Sequence, residues 1–125
     1  MSTWTDDELT RVGDADELRI ASLRQDGSLS SWRTIWVVRD HDDLYVRSVK
    51  GTDSDWYRST RIRQEGRIRA GGVEKDVTFS DADPARNDEV DGAYRTKYGH
   101  YAQSIVDSVL SDGAHSTTMR LLPRT

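Results

Sequence analysis

The apolar positions of this chain fall into short runs set apart by polar turns, with helical spacing at the start and again in the last third. Thr5 is placed to cap a helix opening on Asp6, Asp7 and Glu8, acids that suit the positive end of a helix dipole. Trp4 and Leu9 staple its entry and Gly13 is its stop. From Glu17 the runs ELRIASLR, SWRTIWVVR and LYVRSV, parted by QDGS and DHDD, are rich in β-branched and aromatic residues and predict a three-stranded antiparallel meander. Asp26-Gly27 and the cluster Asp40 to Asp43 are turn chemistry, not an acidic active site. KGTDSDWYRSTRIRQEG predicts a loop and then a helix, capped by Asp53 or Ser54 and ended by Gly66. GRIRAGGVEKDVTFSD is the clearest hairpin, with Gly71-Gly72 free to take the positive φ angles of a two-residue turn. Pro84 opens a helix over 85–98, where Val90, Ala93, Tyr94, Lys97 and Tyr98 share helical spacing. A shorter helix over 101–110 follows, and STTMRLLPR closes the chain as a strand. These elements make one α+β domain over 1–125, mainly antiparallel β, whose six strands can close into a small barrel with flanking helices.

Composition narrows the chemistry. Cysteine is absent, which removes disulfides, thiolate metal sites, iron–sulfur clusters and cysteine nucleophiles. Hydrophobic residues make up 34% of 125, a thin core that hints at self-association, while four Trp and five Tyr supply bulky burial and favour pockets. No run approaches the ~18 apolar residues of a membrane span. The opening MSTWTDDELT has neither the basic nor the apolar part of a signal peptide, so a cytoplasmic protein with no membrane partner is expected. His41, His100 and His115 stand apart with no H-x-x-x-H pair, so no metal site is expected; G-x-S-x-G, G-x-G-x-x-G and G-x-x-x-x-G-K-[ST] are also missing.

Charge adds a location. The net charge is -4, yet Lys50 to Arg69 carries six basic against three acidic residues, a local +3 that leaves -7 for the remainder. A basic stretch in an acidic protein suits a discrete anionic ligand better than a nucleic-acid groove, so no nucleic-acid partner is expected. By alternation Arg33, Ile35, Val37 and Arg39 share one strand face, and Trp32, Thr34, Trp36 and Val38 the other. Arg33 and Thr34, with Arg47, Ser48 and Lys50 at the end of the next strand, have the charge and hydroxyls to hold a phosphate, and Trp36, Trp56 and Tyr57 the rings to cover a flat ligand. The plainer alternative is that the arginines face water and pair with acids while the tryptophans fill the core.

The RTIWVVR strand, acidic turn, LYVRS strand, KG loop, WYR helix, GRIRAGGVEKDVTF hairpin, YRTKYG helix and final TTMRLLPR together resemble an uncharacterised bacterial domain family. That family belongs to the split-barrel flavin-binding clan and is similar to pyridoxamine 5'-phosphate oxidases and deazaflavin-dependent nitroreductases. The resemblance implies a six-stranded split β-barrel, usually a homodimer, with FMN or the deazaflavin coenzyme F-420 in a groove at the subunit interface. It matches Arg33 to the strand arginine that holds the phosphate, and Ser48 and Lys50 to the pair after the next strand. Thr34, Arg47 and Gly51 stand beside them, and Trp56 starts the helix that closes over the phosphate end. Substrate contacts are expected from Lys97, Tyr98 and His100, with Tyr57 alongside. The implied function is an oxidoreductase acting on a small organic molecule, with no catalytic side chain named because the flavin ring carries the hydride chemistry. The alternative is a non-enzymatic small-ligand barrel that has lost the flavin. Convergence of Arg33, Ser48 and Lys50 separates the two, as does whether Asp53 or Asp55 fills their pocket.

Overall fold

The computed structural model describes residues 3–124. Helix α1 (Asp6–Asp14) begins as its sequence dictates. The Thr5 hydroxyl accepts from the Glu8 amide at 3.1 Å and the Glu8 carboxylate accepts from the Thr5 amide at 3.0 Å, a reciprocal capping box. It runs one residue past Gly13 and ends at an extended Ala15.

Strands β1 (Leu18–Ser22), β2 (Arg33–Ile35), β3 (Val38–Asp40), β4 (Asp43–Val46), β5 (Glu65–Ala70), β6 (Val73–Asp81) and β7 (Met119–Pro123) form one antiparallel sheet in the order β2-β1-β5-β6-β7-β4-β3. β2 and β3 stand at opposite ends of that order, yet only Trp36 and Val37 separate them in the chain, so the sheet curls until its ends meet. The expected split barrel therefore appears with seven strands in place of six. The single run SWRTIWVVR is divided, its first half pairing with β1, Thr34 opposite Arg19, and its second with β4, Val38 opposite Tyr45.

That division takes Val37 off both ladders, and buried backbone groups need partners. Helix α3 (Asn87–Tyr98) supplies them. The Val37 amide donates to the Tyr98 hydroxyl at 3.3 Å, the Lys97 ammonium donates to the Val37 carbonyl at 2.6 Å, and the Tyr98 hydroxyl donates to the Asp16 carbonyl at 2.8 Å.

Helix α2 (Asp55–Arg63) is capped by Ser54, whose hydroxyl accepts from the Tyr57 amide at 3.3 Å. It ends through Gln64 at φ 57°, not at the expected Gly66. Gly66 lies inside β5, where a Cβ would stand 2.1 Å from the Ala21 carbonyl oxygen and 2.8 Å from Phe79 Cζ, so the close approach of neighbouring groups requires glycine. Gly71 and Gly72, at φ 57° and 83°, make the anticipated two-residue turn between Ala70 and Val73. A 3-10 turn at Pro84–Arg86 precedes α3, and α4 (Gln103–Leu110) and the short, unanticipated α5 (Asp112–His115) lead into β7. Among the described residues no helix is long and apolar enough to cross a membrane.

Leu18, Ile20, Val37, Leu44, Val46, Ile68, Val77, Phe79, Met119 and Leu121 form the main core with Trp4, Leu9 and Val12 from the N-terminal segment and Tyr57 from α2. The Trp4 indole donates to the Leu121 carbonyl at 2.9 Å, tying that segment to β7. A second cluster of Val38, Tyr45, Val90, Tyr94, Tyr98 and Val109 packs α3 and α4 against β3 and β4. Full burial of such side chains contributes ~1.5–3 kcal/mol each, which offsets the modest apolar content.

Candidate functional site

β4 ends at Val46, short of the expected strand, because the residues after it leave the ladder for side-chain partners. The Ser48 amide donates to the Thr117 hydroxyl at 2.8 Å, and the Ser48 hydroxyl donates to that of Ser54, also at 2.8 Å. This folds loop 47–54 against the start of α2 and opens a cavity of about 380 Å³ between them and β2, within the ~300–1,000 Å³ range of small-molecule sites. Arg33, Thr34, Ser48, Lys50 and Trp56 all border it, together with Ile35, Val49, Asp53, Ser54 and Asp55.

The cavity holds two cations that the fold does not use. Arg33 and Lys50 are exposed and form no ion pair among the described residues. The basic stretch itself is otherwise neutralised: Arg58 pairs with Asp53, Arg61 with Asp81, Arg63 with Glu65, Arg67 with Asp76 and Arg69 with Glu74. Lys50 alone of its six basic residues is left over, so the charge excess seen in sequence is mostly a solvated surface of ion pairs. Ser54 adds a hydroxyl that is hydrogen-bonded to the Ser48 hydroxyl and the Tyr57 amide, and Asp55 and Trp56 bring amides of the first turn of α2, which have no intrahelical partner. Asp53 and Asp55 stand on the rim: both are exposed, and the Asp53 carboxylate lies 3.6 Å from Arg58.

Thr34, Ile35, Val49 and Trp56 also wall a second, more apolar cavity of about 180 Å³ with Trp36, Arg47, Ile105, Ser108 and Val109. Trp36 is fixed by stacking on Tyr98, ring centroids 3.9 Å apart and planes 4° from parallel. Val49 and Ile105 remain 52% and 48% exposed, so the wall is open on one side. The two cavities make one groove, cationic at one end and aromatic and aliphatic at the other. Ile105, Ser108 and Val109 were missed in sequence; their only signal is the amphipathic pattern of α4, which does not say what its apolar side faces.

The remaining expected site residues offer no free group to the groove, and of them only Arg47 borders it. Arg47 is fully buried: Nε donates to the Thr118 hydroxyl at 2.9 Å, one terminal nitrogen to the Val109 carbonyl at 3.0 Å and the Asp91 carboxylate, the other to the Asn87 carbonyl and Oδ1 at 3.2 Å each. All its N–H donors are thereby committed, with none left for a ligand. Asp91 in turn lies 2.9 and 3.0 Å from His115 Nε2. Gly51, at φ 66°, packs on the Gly113 backbone, and Tyr57 sits in the main core. Lys97 and Tyr98 hold the seam at Val37, and His100 is exposed against the Tyr101 ring. Burial pushes Lys97 down to about 8. Away from the groove, Asp40, His41 and Glu89 bring ligating atoms within 4.8 Å of one another, a grouping invisible in sequence because Glu89 comes from α3. Arg86 already occupies the Glu89 carboxylate at 3.0 Å.

A curled antiparallel sheet closed by one divided strand, with a groove beside that strand, defines a split-barrel domain. The chain belongs to the bacterial family described as "Uncharacterized protein conserved in bacteria (DUF2255)", which matches residues 8–121. It superposes on a pyridoxamine 5'-phosphate oxidase-like protein from Listeria innocua with a TM-score of 0.66 at 14% identity, covering 96% of this chain and 93% of that one. An F420 reductase gives 0.58 at 12% over 93% and 92%, and an FAD-binding protein from Mesorhizobium loti 0.58 at 17% over 98% and 92%. At these identities the likeness establishes the fold alone. No functionally curated protein matches the sequence.

Proposed function

We propose that this protein binds a flavin-type cofactor, FMN or the deazaflavin coenzyme F-420, and acts as an oxidoreductase on a small organic molecule. The observation that carries the reading is the groove itself: two unpaired cations, Arg33 and Lys50, beside the Ser54 hydroxyl, opening directly onto a wall of Ile35, Trp36, Val49 and Trp56. An anionic group and a planar ring joined by a short linker match that sequence of surfaces. When bound, such a ring supplies hydride transfer. The chain's own part is to anchor the anion through Arg33 and Lys50, to orient the ring against Trp36 and Trp56, and to exclude water with Ile35, Val49 and Ile105.

A second copy of the chain completes the site in this reading. Val49 and Ile105 leave the aromatic end uncovered, and a homodimer would close it. The acids on the rim, Asp53 and Asp55, favour the second reading, a barrel that keeps the pocket for a ligand of lower negative charge and performs no redox step.

Visible absorption of the purified protein, followed by fluorescence titration with FMN and with F-420 on wild type, Arg33→Ala and Lys50→Ala, tests the proposal. Saturable binding of one cofactor, weakened about tenfold by each substitution, is expected, since a charge-assisted hydrogen bond contributes ~1.5–3 kcal/mol. A folded protein that binds neither cofactor would withdraw the oxidoreductase reading.

A further inference from the structure

We propose that Trp36 and Tyr101 form a one-electron path from the groove to the protein surface, by which an oxidising equivalent arising on the bound ring is discharged at the Tyr101 phenol. It rests on the reading of the groove as a flavin-type site, because a flavin-type ring excited by light is the oxidant.

Trp36 borders the apolar cavity and touches two tyrosines. Its ring stacks on Tyr98 with centroids 3.9 Å apart and meets Tyr101 at 5.4 Å, tilted by 38°. Tyr98 lies 6.1 Å from Tyr101 and 6.2 Å from Tyr94, so four rings cluster behind the groove wall. Packing accounts for the cluster, but not for the unequal surroundings of its tyrosines.

A tyrosine gives up an electron readily only when its phenolic proton can leave as well, and a cation beside the ring opposes the loss. Tyr94 and Tyr98 fail on both counts. The Tyr94 hydroxyl is buried without a partner, and the Arg47 guanidinium stands 5.4 Å from its ring centroid. The Tyr98 hydroxyl donates to the carbonyls of Asp16 and Val37, which take up no proton, and the Lys97 ammonium stands 5.0 Å from its ring. Burial holds both phenols above the ordinary tyrosine range. Tyr57, edge-on to Trp56, repeats the pattern: it is buried, with Arg61 5.5 Å from its ring. Tyr101 is 39% exposed, and among the described residues no cation stands over its ring. Its amide donates to the Tyr98 carbonyl at 3.0 Å, which ties it to the end of α3 beside Trp36.

The excited ring takes one electron from Trp36, and Tyr101 returns one electron to Trp36 while releasing its phenolic proton to water. The net result is a ring reduced by one electron, a neutral phenoxyl radical on Tyr101 and an intact Trp36. A phenol free to release its proton is easier to oxidise at neutral pH than an indole, so the electron runs from Tyr101 to Trp36. The oxidised group then stands at the surface, away from the groove.

Two measurements on the full chain test the path, each on wild type, Trp36→Phe and Tyr101→Phe, variants that keep an aromatic ring at both positions, with circular dichroism confirming the fold. The first uses no cofactor: azide radicals from pulse radiolysis oxidise tryptophan, and transient absorption follows the conversion of tryptophan radicals to phenoxyl radicals. A conversion phase present in wild type and missing from both variants is expected. Equal conversion in wild type and Tyr101→Phe refutes the path, whether or not a cofactor binds. The second excites bound FMN with blue light and detects the phenoxyl radical by electron paramagnetic resonance. A signal in wild type that both variants lose is expected, and a signal unchanged in either variant refutes the link from groove to surface. If the first measurement succeeds and FMN does not bind, the path stands and the flavin reading of the groove falls.

Discussion

The division of one strand at Val37 is held by the Tyr98 phenol together with Lys97, and replacing Tyr98 by Phe isolates what the phenol does. The ring stays, and with it the stack on Trp36 at 3.9 Å. Lys97 continues to donate to the Val37 carbonyl at 2.6 Å. What is lost is the acceptor for the Val37 amide, 3.3 Å away in a residue with no exposed surface, and the donor to the Asp16 carbonyl, which lies on an exposed residue and takes water instead. One buried donor left without a partner costs ~1–3 kcal/mol, so Tyr98→Phe should destabilise the fold by about 2 kcal/mol. For a domain of this length that is a fall of about 8 °C in Tm. Urea unfolding followed by tryptophan fluorescence, with the slope unchanged from wild type, reads it directly. A loss below about 0.5 kcal/mol would show that the seam is held by packing alone and that the hydrogen-bond account of the divided strand is wrong.

Three further outcomes follow from the same geometry. Asp91→Asn leaves the buried Arg47 guanidinium without its counter-charge and should cost ~3–5 kcal/mol in denaturant melts; a near-neutral result would refute the role of that pair in joining α3 to the end of β4. Gly66→Ala places a methyl 2.1 Å from the Ala21 carbonyl oxygen, and should yield insoluble or unfolded protein; a stable, soluble variant would mean that β1 and β5 can separate there. Lys97, pushed by burial from 10.5 to about 8, holds a proton in the unfolded chain across that window that the folded chain has released, so wild-type stability gains a component that rises with pH between these values. Comparing Lys97→Met with wild type from pH 7 to about 9.5 isolates that component from the tyrosines, and equal slopes for the two proteins would contradict the assignment.

The parts of this protein legible in its sequence are those whose determinants lie within a few residues of one another. Thr5 and Glu8 cap a helix because they are three apart, Gly71 and Gly72 turn a hairpin because both accept positive φ, and the stretch through Tyr45 and Val46 extends because aromatic and β-branched residues favour a strand. The pairing of Arg33 with Ser48 and Lys50 was likewise visible as an order of motifs, and the fold brings the three to one cavity. Distant partners decided the rest. SWRTIWVVR has unbroken strand character, and what divides it is Lys97 and Tyr98, about sixty positions on in the chain. Arg47 has the same local credentials as Arg33, one residue before a hydroxyl on a strand rich in Val and Tyr. Asp91, Asn87, Val109 and Thr118 draw its guanidinium into the interior, while among the described residues no acid or carbonyl draws Arg33 from the groove. A basic residue serves the fold or a ligand according to which acids and carbonyls the tertiary structure delivers to it. That delivery depends on contacts between segments far apart in the chain, which no local pattern encodes.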